Sequence, residues 1–199
     1  MKPSSPIHVS NALTYGSLMC GIAAVPAALQ ANPAGCGALL ALAVVLDTFD
    51  GRFARLVRRW LGQDQHPRVG AELDSLVDAI TFGIVPIACA TALFDAAGLI
   101  WWGAAFVYVA SAVTRLGNYN VSAASVGARH FVGVPTPVAA LLWSSLFLFK
   151  PDEAALIVMA LALAGAMNAP VRIARPASAG LALFIAWPVA LLVAHCSRL

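Results

Sequence analysis

Apolar residues run in stretches too long for the core of a small soluble domain. They cover Asn11–Gln30, Gly35–Ala54, Leu73–Ala97, Leu99–Thr114, Val132–Phe149, Ala154–Ala169 and Ser178–Ala194. Inside hydrocarbon a backbone has no water to bond to, so segments of this kind cross a bilayer as helices of about 20 residues. The expected fold class is therefore all-α: a polytopic membrane helical bundle of about seven transmembrane helices. Six to eight fit the pattern, because two of the later stretches are short. Only 11% of the 199 residues are charged, against roughly 25% in soluble domains. The connections are too short to hold a folded soluble domain and no repeat is visible. Residues 1–199 read as one integral membrane domain.

The basic residues orient it. Seven spans with a cytoplasmic N-terminus put Lys2, Arg52, Arg55, Arg58, Arg59, Arg68, Arg115, Arg129, Arg172 and Arg175 on one side, and only Lys150 and Arg198 on the other. The rule that basic loops stay inside makes the crowded side cytoplasmic, in a membrane of the bacterial inner (plasma) type. The net charge of +3 then reflects topology and anionic lipid, not nucleic acid. The first stretch follows one Lys and lacks a clear small-residue cleavage site, so it reads as retained. Cys20, Cys36, Cys89 and Cys196 are scattered singly and read as packing residues. His8, His66, His130 and His195 are equally dispersed. Trp101 and Trp102 stand at a span end, where aromatic belts occur.

Chemistry concentrates in the acids. Five of the nine, Asp47, Asp50, Glu72, Asp74 and Asp78, fall within 32 positions at the inner ends of the second and third stretches. Asp47 and Asp50 are spaced i, i+3, and Asp74 and Asp78 i, i+4, so each pair lines one helical face. A short connection brings the two faces together, with no basic residue expected at equivalent depth. Four negative charges in a low-dielectric site repel strongly, so protons or cations must neutralise them. An all-oxygen site selects hard ions, Mg²⁺, Mn²⁺ or Ca²⁺, over zinc. Two divalent ions balance four aspartates, and paired metals are a common device for displacement at phosphorus. Gly51 and Gly70 let a ligand approach the backbone, and Arg55, one turn past Gly51, is placed to meet a phosphate oxygen. The competing readings are solvated interfacial aspartates paired with Arg52, Arg58 and Arg59, or an intramembrane cation path in a transporter. Clustering of the acids at one end of two spans argues against the transporter.

Asp47-Thr-Phe-Asp50-Gly51-Arg-Phe-Ala54-Arg55 followed by Gly70-Ala-Glu-Leu-Asp74-Ser-Leu-Val-Asp78 resembles the signature of the CDP-alcohol phosphotransferase family, D-x2-D-G-x2-A-R…G-x3-D-x3-D, at every fixed position. Fourteen residues, Leu56–Val69, separate Arg55 from Gly70, more than the family usually has, and they read as a polar, basic cytoplasmic loop. Further patches resemble the phosphatidylserine synthase branch: Ser10-Asn11-Ala12-Leu13-Thr14, Glu72–Leu76 with Thr81–Pro86, Arg115–Asn120, and Phe131–Pro137.

The resemblance implies metal ligation by Asp47, Asp50 and Asp74, with Asp78 as a general base that can also touch the second metal. It also implies a CDP-lipid site formed by Asn11, Thr14, Asp50, Gly51, Ala54, Arg55 and Gly70. The reaction implied moves a phosphatidyl group from CDP-diacylglycerol to L-serine at the cytoplasmic face, with Mg²⁺ or Mn²⁺ as cofactor. Glycerol 3-phosphate, an inositol phosphate or choline are the alternative acceptors. Arg115 suits the serine carboxylate and reads equally well as a positive-inside residue. Asn118 and Asn120 read as acceptor contacts or as helix-end caps. Arg129 is an anchor for headgroups or for a substrate phosphate. A homodimer fits both the family tendency and the general prevalence of two-fold oligomers.

Overall fold

A computed structural model describes residues 11–61, 67–124, 130–174 and 178–199. Over these residues each apolar stretch holds one helical rod. The first two are α1 (Ala12–Leu29) and α2 (Pro33–Leu61). The third begins as α3 (Pro67–Asp78), widens into a π segment (Ala79–Ile84) and continues without a break as α4 (Val85–Phe94). Then follow α5 (Leu99–Ala124), α6 (Thr136–Leu146), α7 (Glu153–Asn168) and α8 (Ser178–Cys196). Two three-residue strands, β1 (His130–Val132) and β2 (Arg172–Ala174), pair antiparallel. Among the described residues the architecture is helical apart from that ribbon.

Among the described residues four rods are long and apolar enough to cross a membrane: Ala12–Leu29, Pro33–Val57, Val69–Phe94 and Leu99–Val121. Thr136–Leu146, Glu153–Asn168 and Ile185–Cys196 are shorter apolar helices. Met19, Ile22, Phe106, Val158 and Leu161 point outward, as lipid-facing side chains do when the solvent outside is itself apolar. The chain is an integral membrane protein.

Local chemistry sets the rod ends. The Asn32 side chain accepts a hydrogen bond from the Gly35 N–H at 2.8 Å, and Asp152 from Ala155 at 2.9 Å, which satisfies otherwise unpaired donors at the starts of α2 and α7. Two expected boundaries move. α2 runs on to Leu61 and the next rod begins at Pro67, so most of the expected loop Leu56–Val69 is helix and only residues 62–66 lie outside the described residues. Leu and Arg are good helix formers, and proline is favoured in a first turn. α5 continues well beyond Thr114, to Ala124, which places Asn118 and Asn120 inside a helix and removes their reading as caps.

Trp101 departs from its expected place in an aromatic belt. It is fully buried, donates its indole N–H to Thr91 at 3.0 Å, and meets Trp143 edge-on at 6.5 Å. Tyr108 meets the same Trp143 edge-on at 5.8 Å. Trp102, one residue further round the helix, stays exposed. Adjacent helical residues do not share a face, so a Trp pair at a span end divides between core and surface. Cys36 and Cys89, far apart in sequence, interact in the buried core, consistent with their packing role.

His195 on α8 closes a second contact. The Ser144 hydroxyl donates to the Gly37 carbonyl at 2.8 Å, and His195 Nε2 lies 3.0 Å from the Ser144 carbonyl and 3.1 Å from its hydroxyl. With the hydroxyl proton engaged, the Nε2–H donates to the carbonyl. The imidazole lies so close over Gly37 that a methyl there would overlap the ring. Gly37→Ala is therefore expected to destabilise the protein by about 1–3 kcal/mol, the usual cost of overpacking, seen as a lower unfolding midpoint in detergent. Turnover at low temperature should survive, since Gly37 precedes Asp47 on α2 by about 15 Å of helix. An unchanged midpoint would show that the ring can move aside.

Candidate active site

Two helical faces and one flanking helix build the acidic centre. Asp47 and Asp50 project from α2, Asp74 and Asp78 from α3, and α1 packs against both rods. One carboxylate oxygen each from Asp47, Asp50 and Asp74 lies within 4.8 Å of the others. Asp78 lies one turn past Asp74, buried, within interaction range of Asp47 and of the Arg115 guanidinium. The two spacings therefore converge as expected. Glu72, the fifth acid of the cluster, is exposed.

Arg115 corrects the expectation that no cation shares this depth. It is only 7% exposed, and its Nε has no hydrogen-bond partner. Running α5 past Thr114 carries this side chain to the edge of the carboxylates. One guanidinium offsets part of the repulsion among four carboxylates and leaves most of it.

The other expected site residues divide by position. Thr14 donates its hydroxyl to Asp50 Oδ2 at 3.1 Å, so it orients a carboxylate from α1. Asn11 lies next to Gly70, where an added methyl would come to 4.0 Å of its side-chain oxygen. Arg55 is exposed and folds its guanidinium back over Gly51, 3.5 Å from where a methyl would stand. Gly51, Ala54 and Arg55 thus follow Asp50 along α2, and Gly70 precedes Asp74 by one turn of α3. Asn120 accepts a hydrogen bond from Ser75 at 3.0 Å and ties α5 to α3, while Asn118 is exposed. Arg129 lies outside the described residues.

Two oxygens test whether the site suits a metal. Asp74 Oδ1 and Asp78 Oδ1 are buried without a hydrogen-bond partner, an unusual and costly state for a carboxylate. A cation among the acids would satisfy them, and a purely oxygen donor set favours hard divalent ions. The residues present fit such an ion.

A model of CDP-alcohol phosphatidyltransferases matches residues 7–168. The chain belongs to that family. Among its relatives, the CDP-diacylglycerol–serine O-phosphatidyltransferase of Mycobacterium tuberculosis (strain ATCC 25618 / H37Rv) is 32% identical over 145 residues, 70% of this chain and 49% of that protein. The enzyme of the same name from Bacillus subtilis (strain 168) is 28% identical over 138 residues, 67% and 72% of the two chains. The archaetidylserine synthase of Methanothermobacter thermautotrophicus is 35% identical over 126 residues, 61% and 50%. The aligned region spans about half the length of the mycobacterial relatives.

Two contacts between rods, at Ser75 and at Tyr108, join residues that no motif pairs. Ser75 sits between two signature acids, and its partner Asn120 lies 45 positions away. Tyr108 donates its hydroxyl to the Phe82 carbonyl at 2.8 Å. A polar group in an apolar stretch is the one signal Tyr108 carries in sequence. Its target is a backbone atom of another helix, which no residue pattern marks.

Proposed function

We propose that the chain transfers a phosphatidyl group from CDP-diacylglycerol to L-serine, giving phosphatidylserine and CMP. It does so as a single membrane domain, in a homodimer, with its site at the cytoplasmic face of a bacterial-type inner membrane. Family membership and the names of the relatives support the reaction. The observation that carries the acceptor is Arg115, a buried guanidinium beside Asp78 whose Nε has no partner. Serine presents a carboxylate next to the hydroxyl that must react, and the planar fork of arginine matches a carboxylate.

In this reading Asp47, Asp50, Asp74 and Asp78 hold divalent ions of the Mg²⁺ or Mn²⁺ type, two of which balance four carboxylates. Bound there, such ions supply charge neutralisation for the pyrophosphate of the CDP-lipid and for the leaving CMP. The protein does the remainder. Thr14 keeps Asp50 turned inward, and Arg55 with the backbone at Gly51 and Gly70 receives the cytidine diphosphate part, next to Asn11 and Ala54. Arg115 orients serine by its carboxylate, so that its hydroxyl faces Asp78. Asp78 takes the hydroxyl proton as the serine oxygen bonds to the lipid-side phosphorus and the bond from phosphorus to the CMP oxygen breaks. Positioning and charge stabilisation dominate chemistry of this kind.

The test offers labelled serine, glycerol 3-phosphate, inositol phosphate and choline separately, each with CDP-diacylglycerol and Mg²⁺ or Mn²⁺. Serine alone is expected to be incorporated, with release of CMP, which a cation transporter would not give. Arg115→Lys should weaken serine use by about tenfold or more, the cost of roughly 1.4 kcal/mol or more from a charge-assisted bond, while CDP-lipid binding stays near normal. Incorporation of another acceptor in place of serine would sink the acceptor assignment.

A further inference from the structure

The rod bearing Asp74 and Asp78 changes winding immediately after them. Residues Ala79–Ile84 form a π segment, with Asp78 as its leading residue. A π turn closes on the fifth residue back, not the fourth, and so takes one more residue than an α turn. The helix beyond it is rotated relative to the helix before it. The acid-bearing face of α3 and the core-facing side of α4 are therefore set by how that segment is held. Isolated π turns are uncommon and cluster at functional sites.

Close contacts from α5 and from α1 hold it. On α5 the Tyr108 hydroxyl donates to the Phe82 carbonyl at 2.8 Å, and both side chains are fully buried. Tyr108 is itself wedged edge-on against Trp143, so the donor has little room to turn. On α1, Gly21 admits Thr81 so closely that a methyl at Gly21 would stand 3.0 Å from Thr81 Cγ2. Thr81 is fully buried, and its hydroxyl has no partner. That contact is thus held by shape and not by a hydrogen bond.

We propose that Tyr108 is a positioning residue for the acidic centre. Its bond to Phe82 holds the π segment in register, and the π segment holds Asp74 and Asp78 opposite Asp47 and Asp50. Tyr108 acts through the backbone and touches no substrate. Gly21 serves the same segment from α1. The inference rests on the reading that the four aspartates bind divalent metal.

Mn²⁺ binding by the purified full chain, followed by electron paramagnetic resonance with no substrate present, tests it apart from turnover. Tyr108→Phe deletes one hydroxyl and Gly21→Ala presses on Thr81. Thr91→Val serves as a control, because it removes the acceptor of another, partly buried bond between α4 and α5, that of Trp101. Tyr108→Phe and Gly21→Ala are each expected to weaken Mn²⁺ binding about tenfold, the lower range for losing support behind metal ligands. Thr91→Val should lower the unfolding temperature and leave Mn²⁺ binding unchanged. Saturating Mn²⁺ should bring Tyr108→Phe turnover back toward that of the parent. Should Tyr108→Phe not fold, Gly21→Ala carries the comparison alone. Parent-like Mn²⁺ affinity in folded Tyr108→Phe or Gly21→Ala, or equal weakening by Thr91→Val, would overturn the proposal. A parent protein that binds no Mn²⁺ would remove the metal reading, and this inference with it.

Discussion

Asp78→Asn is expected to cut turnover by a factor of about 10²–10⁴, the usual worth of a general base, while CDP-lipid binding stays largely intact. The substitution keeps the size of the side chain and removes the proton acceptor that the proposed role requires. Asp78 lies outside the oxygen triad of Asp47, Asp50 and Asp74 but one turn past Asp74, within interaction range of Asp47 and beside Arg115. A binding measurement with the CDP-lipid and a single-turnover assay separate the two effects. Near-normal turnover in the variant would move the base elsewhere.

Removal of divalent metal should have an equally large effect. Excess chelator is expected to reduce turnover to background, and added Mg²⁺ or Mn²⁺ to restore it. Ca²⁺, larger and more loosely coordinated, should occupy the site and support turnover poorly. The reason is electrostatic. Four carboxylates converge, two of their buried oxygens have no partner, and the Arg115 guanidinium offsets only part of their charge. Asp47→Ala should lose CDP-lipid binding and turnover together, which sets it apart from Asp78→Asn. Full activity in excess chelator would end the metal reading.

Membrane class, the number of rods and the acidic centre are legible in the amino-acid sequence. Hydrocarbon tolerates only segments that satisfy their own backbone, so apolar length alone separates one rod from the next. Helical periodicity then puts residues three and four apart on one face, which is why spacing pairs Asp47 with Asp50 and Asp74 with Asp78. Both rules are local, and local rules survive translation from sequence to structure.

Features that depend on packing between distant segments are not legible in this way. Trp101 and Trp102 look alike in sequence, yet only the fold decides that one is core and the other faces outward. Arg115 reads equally well as an acceptor contact and as an ordinary inside-facing charge, and only the continuation of α5 past Thr114 carries it beside Asp78. The short β1–β2 ribbon joins residues forty or more positions apart. The π segment is gripped by a tyrosine from α5 and a glycine from α1. The sequence by itself determined which residues could do the chemistry, because charge in hydrocarbon is too costly to be incidental. Only the tertiary structure decided their partners, because a hydrogen bond or a close contact is set by where two helices lie relative to each other, and no local pattern encodes that.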